Sequence, residues 1–168
     1  MANMQRLSVN LWFEKEAMEA VDFYISIFKN SRIIRITHYG KEGQEIHKMP
    51  DGMIMTVEFE LDGLRFVALN GGPLFKFTEA VSIIVNCQNQ EEVDHYWEKL
   101  TNGGNRLAQQ CGWLKDKYGV SWQVVPTMLP DLIHKEDGEK ERPVMKVMMD
   151  MKKIDIKKLE EVTRKDNA

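Results

Sequence analysis

Glu19-Ala20-Val21-Asp22-Phe23-Tyr24 returns, at a sequence offset of 72, as Glu91-Glu92-Val93-Asp94-His95-Tyr96, and an asparagine follows each copy at the same spacing, Asn30 and Asn102. The spacing of Val21, Tyr24 and Phe28 suits one face of a helix, and an asparagine tolerates the left-handed turn that ends one. The repeat extends upstream. Leu7, Val9, Leu11 and Phe13 alternate with Ser8, Asn10 and Trp12, and at the same offset Val81, Ile83 and Val85 alternate with Ala80, Ser82 and Ile84. Alternation of this kind belongs to a strand with one buried face. Each half therefore opens with a strand and then a helix. Self-similarity at one offset marks a duplicated supersecondary unit, because a single copy leaves its apolar face uncovered.

The pattern predicts a helix over 17–28 with Met18, Val21, Tyr24, Ile25 and Phe28 on its apolar stripe, and a β-branched strand over 33–39. A polar loop over 41–52, closed by Pro50-Asp51-Gly52, leads into a strand over 53–61 with Met55, Val57, Phe59 and Leu61 on one side. Asp62-Gly63 signals a type I′ hairpin, whose two central residues both need positive φ. A strand over 64–69 completes a β-α-β-β-β unit. The second unit is predicted as a strand over 80–86, a helix over 90–100 with Asn89 as N-cap and Glu92 at N3, and strands over 106–110, 112–115 and 120–125. Tyr118-Gly119 stands where Asp62-Gly63 stood, at an offset of 56 rather than 72, so the second copy has the shorter loops.

Beyond Pro130 the character changes. Residues 135–142 form a charge-dense linker, Pro143 opens a helical pattern of Val144, Val147, Met148 and Met151, and a second short helix starts at Asp155 with Leu159 and Val162 inward. Neither has a counterpart in the first copy. The Met-rich face (Met145, Met148, Met149, Met151) suits packing onto the body or onto a second subunit. The predicted fold class is α+β: two βαβββ units, at about 7–70 and 80–126, forming a cupped mixed sheet in a single domain of 1–133, then a helical appendage over 134–168.

Composition narrows the partners. With 168 residues and a formal charge of -3 spread along the chain, no basic stripe exists to neutralise a phosphate backbone, so no nucleic acid is expected. No apolar run reaches the ~20 residues of a bilayer span, and residues 1–6 precede no apolar leader segment, which reads as cytoplasmic with no membrane partner. Cys87 and Cys111 lie outside any C-x-x-C spacing and read as small packing residues. His38, His47, His95 and His134 include no i, i+4 pair of the kind that holds zinc on a helix.

Several stretches carry a resemblance: Leu11-Trp12-Phe13, Ala20-Val21-Asp22-Phe23-Tyr24, Asn30-Ser31-Arg32, Val57-Glu58-Phe59, Ala68-Leu69-Asn70-Gly71-Gly72-Pro73, Phe75-Lys76-Phe77, Cys111-Gly112-Trp113 and Gly119-Val120-Ser121-Trp122-Gln123-Val124-Val125-Pro126. Together, over about 7–133, they resemble the PhnB-like branch of the vicinal oxygen chelate superfamily, the glyoxalase and bleomycin-resistance fold, catalogued as 3-demethylubiquinone-9 3-methyltransferase-like. The resemblance implies a cavity-bearing fold and, in metal-dependent members, a divalent ion held by His or Glu on the first and last strands of each unit. Carried over, those positions fall on Ser8, Val67, Ala80 and Gln123. None is an imidazole or carboxylate, so neither metal nor other cofactor is expected. A nucleotide-like methyl donor is usually held by a glycine-rich turn that opens a helix, and Gly71-Gly72 and Gly103-Gly104 open none; the methyltransferase name is read as a mislabel.

The residues leave the chemistry open between two classes. If the helix-facing positions are the apolar ones, Asn10, Trp12 and Glu58 line the cup, joined by the turn Asn70-Gly71, by Trp122 and by Gln123 in the place of a metal ligand. Trp113, Phe75 and Phe77 offer further flat apolar surface for its walls. Glu58 suits a general base if enclosed by apolar groups, or else a rim carboxylate paired with Arg35 or Arg65. His38, on a strand bordering the cavity, is the other candidate acid or base. With no nucleophile and base arrangement to be read, a metal-independent protein binding a small hydrophobic or aromatic molecule is favoured over an enzyme acting on a small organic substrate. A homodimer is expected, because open cupped sheets leave edges that a two-fold partner covers.

Overall fold

A computed structural model describes residues 5–139 and 142–165, with the side chain of Lys165 not described. The chain divides into two compact units, Met1–Phe77 and Thr78–Ala168. The first contains β1 (Val9–Phe13), α1 (Ala17–Ile27), β2 (Arg32–His38), the single turn α2 (Gln44–His47), β3 (Ile54–Leu61) and β4 (Leu64–Asn70). Its sheet runs β1-β4-β3-β2, with β1 and β4 parallel and the other pairs antiparallel. The expected alternation decides which face is covered. Leu11, Phe13, Val57, Phe59, Leu61, Phe66 and Ala68 are buried, as are Ala17, Ala20, Val21, Tyr24 and Ile27 of α1. The helical stripe is thus rotated slightly from expectation, since Met18 and Ile25 are only half-buried. Asp62 and Gly63 have φ of 46° and 83°, the type I′ turn their sequence demands.

The second unit contains β5 (Ile83–Cys87), α3 (Gln90–Thr101), β6 (Asn105–Gln110), β7 (Trp113–Lys115) and β8 (Ser121–Pro126), in the order β5-β8-β7-β6. Asn89 caps α3, its Oδ1 accepting from the Glu92 N–H at 3.0 Å. The first strand begins at Ile83, not at 80. Val9 of the first unit lies opposite Phe66 and Ile83 lies opposite Trp122, so the first strands correspond at an offset of 74 while Val21 and Val93, buried on their helices, correspond at 72. The slip is even, so it leaves the buried side unchanged: Val85 and Cys87 face inward as Leu11 and Phe13 do.

A second difference lies at Cys111-Gly112, which the sequence pattern assigns partly to a strand. Their φ values of 51° and 84° make a turn between the paired residues Gln110 and Trp113. A Cβ on Gly112 would stand 2.8 Å from the Val124 carbonyl oxygen, so both backbone angle and space require glycine. The N–H groups of this turn bond to the C-terminal segment, Cys111 to the Met151 carbonyl at 2.8 Å and Gly112 to that of Lys152 at 2.7 Å.

That segment holds three helices: α4 (Leu129–Lys135), α5 (Pro143–Met149) and α6 (Ile156–Lys165). The pattern does not predict the first, because Pro130 reads as a break; it stands in the first turn of α4, where its missing N–H has no helical partner to lose. Leu129, Val144, Met148, Met151, Ile154 and Leu159 form one buried cluster, with Val125, Ile133 and Val162 packed against it. Of the methionine face only Met148 and Met151 are buried, and Met149 is exposed. Glu136, buried, accepts from the N–H groups of Val144 at 2.7 Å and Met145 at 3.2 Å, capping α5 from the turn after α4. Gln90 of α3 donates to the Ile154 carbonyl and accepts from the Ile156 N–H. No helix among the described residues is long and apolar enough to cross a membrane.

The β7–β8 hairpin turns on Asp116, which is 3% exposed. Its carboxylate accepts from the N–H groups of Tyr118 and Val120 and from the indole of Trp122 at 2.8 Å. Asp116→Ala orphans three donors and should lower stability by roughly 3 kcal/mol in urea unfolding; a loss below about 1 kcal/mol would show the hairpin to be held by its ladder alone.

Candidate functional site

The uncovered face of the first sheet is read off its register. Asn10 lies opposite Val67, Val67 opposite Glu58, and Glu58 opposite Arg35, so these four form one row across the sheet. Trp12, Leu69, Thr56 and Thr37 form the next, and Arg65, Glu60 and Arg32 a third. The three rows bring Asn10, Trp12 and Glu58 to one face, as the alternation implied. Glu58 is an ion-pair partner there: the Arg35 guanidinium donates to its Oε2 at 3.0 Å, with Arg35 largely in solvent. Arg65 approaches Glu60 instead, at 3.8 Å. His38 is exposed at the end of β2, where it pairs with Ile54 at the start of β3, away from Glu58 further along that strand.

Asn70 and Gly71 hold the unit together rather than offering free groups. Asn70 is buried; its Oδ1 accepts from the Ala17 N–H that opens α1, and its Nδ2 donates to the Ile54 carbonyl. The N–H groups of Gly71 and Gly72 donate to the carbonyls of Phe13 and Glu14, leaving no anion nest. A Cβ on Gly71 would stand 2.3 Å from the Trp12 indole, whose Nε1 donates to the Gly72 carbonyl at 2.9 Å. Trp12 is thereby pinned flat against the turn, with Phe75 edge-on at 4.9 Å between centroids.

In the second unit, Trp122 and Gln123 separate. Trp122 is 1% exposed and bonded to Asp116 on the buried side of β8, so it cannot wall a cavity; neighbours along a strand face opposite ways. Gln123 points to the other face, opposite both Ile84 and Trp113, and its Nε2 donates to Ser82 Oγ at 2.8 Å. The offset of 74 makes Ser82, rather than Ala80, the counterpart of Ser8. Beside this face α4 and α5 border an open cleft of about 570 Å³, lined by Trp113, Gln123 and Val125 of the sheet and by residues of the appendage including Ile133 and Met148. Trp113 is legible from sequence as an aromatic wall; the appendage residues are not, since a helical stripe reveals an apolar face but not the surface that receives it.

Among the described residues no three His, Cys, Asp or Glu side chains are grouped to hold a metal ion. Two carboxylates are held below their ordinary range: Asp94 by hydrogen bonds from Lys153 and then Gln90, and Glu79 by its hydrogen bond from Lys115. Both are surface pairs remote in role from the cleft.

With this geometry in view, the model of the family described as 3-demethylubiquinone-9 3-methyltransferase matches residues 5–125. The chain belongs to that family. Among solved structures, the PhnB protein from Bacillus cereus, which bears the same methyltransferase name, is 34% identical over 73% of this chain and 100% of its own, with a TM-score of 0.63. Protein PA1353 from Pseudomonas aeruginosa (17% identity, 73% and 98% covered, TM-score 0.56) and the fosfomycin resistance protein FosX from Listeria monocytogenes (18%, 78% and 96%, TM-score 0.50) share the fold. No curated protein matches. This 3-demethylubiquinone-9 3-methyltransferase family member therefore has the glyoxalase and bleomycin-resistance fold, as its motifs implied.

Its two thiols should behave unlike each other. Burial, with the Glu92 carboxylate nearby, pushes Cys87 up to about 12, whereas Cys111 borders the cleft. At pH 8 a disulfide reagent should modify Cys111 alone, Cys87 reacting only after unfolding. The folded state keeps the Cys87 proton that the unfolded chain releases, so this contribution to stability is intact below about pH 9 and falls as pH rises toward 12. Two equivalents of reagent consumed by the native protein at pH 8 would contradict this.

Proposed function

We propose that this protein binds a small, largely apolar molecule without a metal, in the cleft of its second unit. The observation that carries the reading is the side-by-side placement of Trp113 and Gln123 on the sheet face that α4 and α5 flank to form the cleft. A concave, mostly apolar pocket with few polar groups is the usual form of a small-molecule site. Gln123 spends its Nε2 on Ser82, which holds the amide in one orientation with Oε1 as the acceptor it offers. The competing reading, acid or base chemistry by Glu58 or His38, draws less support, because Glu58 has an exposed Arg35 as counter-ion. Methyl transfer from a nucleotide-like donor draws less still. The two long helices beside the sheets open after Glu14-Lys15-Glu16 and Gln88-Asn89, neither a glycine-rich turn.

A ligand burying ~200 Å² of apolar surface gains roughly 5 kcal/mol before the entropic costs of association, which leaves weak binding unless polar contacts add to it. Titration of aromatic compounds should therefore perturb tryptophan emission in the wild type and not in Trp113→Phe. Gln123→Leu should weaken binding by roughly tenfold with circular dichroism unchanged. Elemental analysis should find no stoichiometric metal. A second copy of the chain belongs to the same proposal, since Leu107 on the edge strand β6 is 95% exposed and edge strands with apolar side chains invite pairing. A mass near 19.6 kDa by light scattering at micromolar concentration would refute the dimer. No emission change with any aromatic compound at millimolar concentration would refute the cleft.

A further inference from the structure

The cleft is not uniform. Trp113 and Val125 are half-buried along its sheet floor and Met148 is buried on the α5 side, whereas His134, Asp137 and Arg142 are exposed at its rim. Several cations near the appendage are committed, Lys115 to Glu79, Lys153 to Asp94, Lys158 to Asp155 and Arg164 to Glu160, and of the lysines and arginines only Arg142 lines the cleft. Arg142 makes no ion pair among the described residues, Asp137 at the same rim included. A guanidinium with no ion-pair partner among the described residues, beside an apolar, aromatic-floored cleft, is suited to a planar anion, because its paired N–H groups match the two oxygens of a carboxylate.

Resting on the reading of the cleft as the binding site, we propose that its ligand class is a flat apolar monocarboxylate, with the carboxylate on Arg142 and the ring against the Trp113 indole. Gln123 Oε1 accepts from any hydroxyl or amine the ring carries. Asp137 sets the selectivity in the opposite sense, disfavouring the anion and so confining it to the Arg142 side of the rim.

The test compares 2-naphthoate, 2-naphthamide and 2-naphthylmethylamine, which share a ring system and differ in head-group charge, by tryptophan emission and calorimetry on the full chain. Wild type should bind the carboxylate roughly tenfold more tightly than the amide. R142Q should bind both alike, and D137N should improve the carboxylate severalfold without helping the amide. Both substitutions are at exposed positions, and circular dichroism confirms the fold. Equal binding of carboxylate and amide by wild type, a preference surviving in R142Q, or tightest binding of the amine would each overturn the proposal while leaving the cleft as the site. Failure of all three compounds to bind would count against the cleft itself.

Discussion

The second unit depends on the pair of backbone hydrogen bonds from Cys111 and Gly112 to Met151 and Lys152. A hairpin turn normally shows its central N–H groups to water. Here they are answered by carbonyls from a distant part of the chain, at 2.8 and 2.7 Å, which ties the stretch just after α5 to the turn between β6 and β7. The left-handed turn makes it possible: Cys111 and Gly112 both have positive φ, and Gly112 lies so close to the Val124 carbonyl that no side chain fits. The buried cluster around Val144, Met148, Ile154 and Leu159 then supplies the apolar burial that keeps the C-terminal segment down.

Once the helices are seated, the polar groups at their ends matter more than their surfaces suggest. Glu136 answers two otherwise unpartnered N–H groups at the start of α5, and Gln90 reaches from α3 to both sides of the connection that leads into α6. Side-chain carboxylate and amide groups thus join α4 to α5 and α3 to the connection before α6. The analogous residue in the first unit is Asn70, which ties the opening of α1 to β3.

Strand parity is legible in the sequence, and with it the burial of Leu11, Phe13, Val57 and Phe59 and the open placement of Asn10, Trp12 and Glu58. Local signals with a single chemical solution are legible too, as Asn89 and Asp62-Gly63 show. What the sequence does not reveal is which partner a polar side chain chooses. Asn70 and Gly71 look the same in sequence whether their groups face a ligand or close a helix, and the choice depends on α1 and β3 arriving beside them. Trp122 suits a cavity wall by its size alone, although alternation with Gln123 already places the two on opposite faces. The cleft itself arises where the appendage meets the sheet, a long-range contact that periodicity does not encode.

The offset between the two copies, 74 on their first strands and 72 on their helices, bears on how such a duplicated chain can diverge. Between strand and helix the second copy is shorter by an even step, and every strand residue kept its side. An odd step would have turned Val85 and Cys87 outward and driven Ile84 and Asn86 against α3, an inversion no local repacking repairs. Length variation at this junction among descendants of the same duplication should accordingly run in steps of two, so that the interval from strand to helix records the constraint even where the residues themselves no longer match.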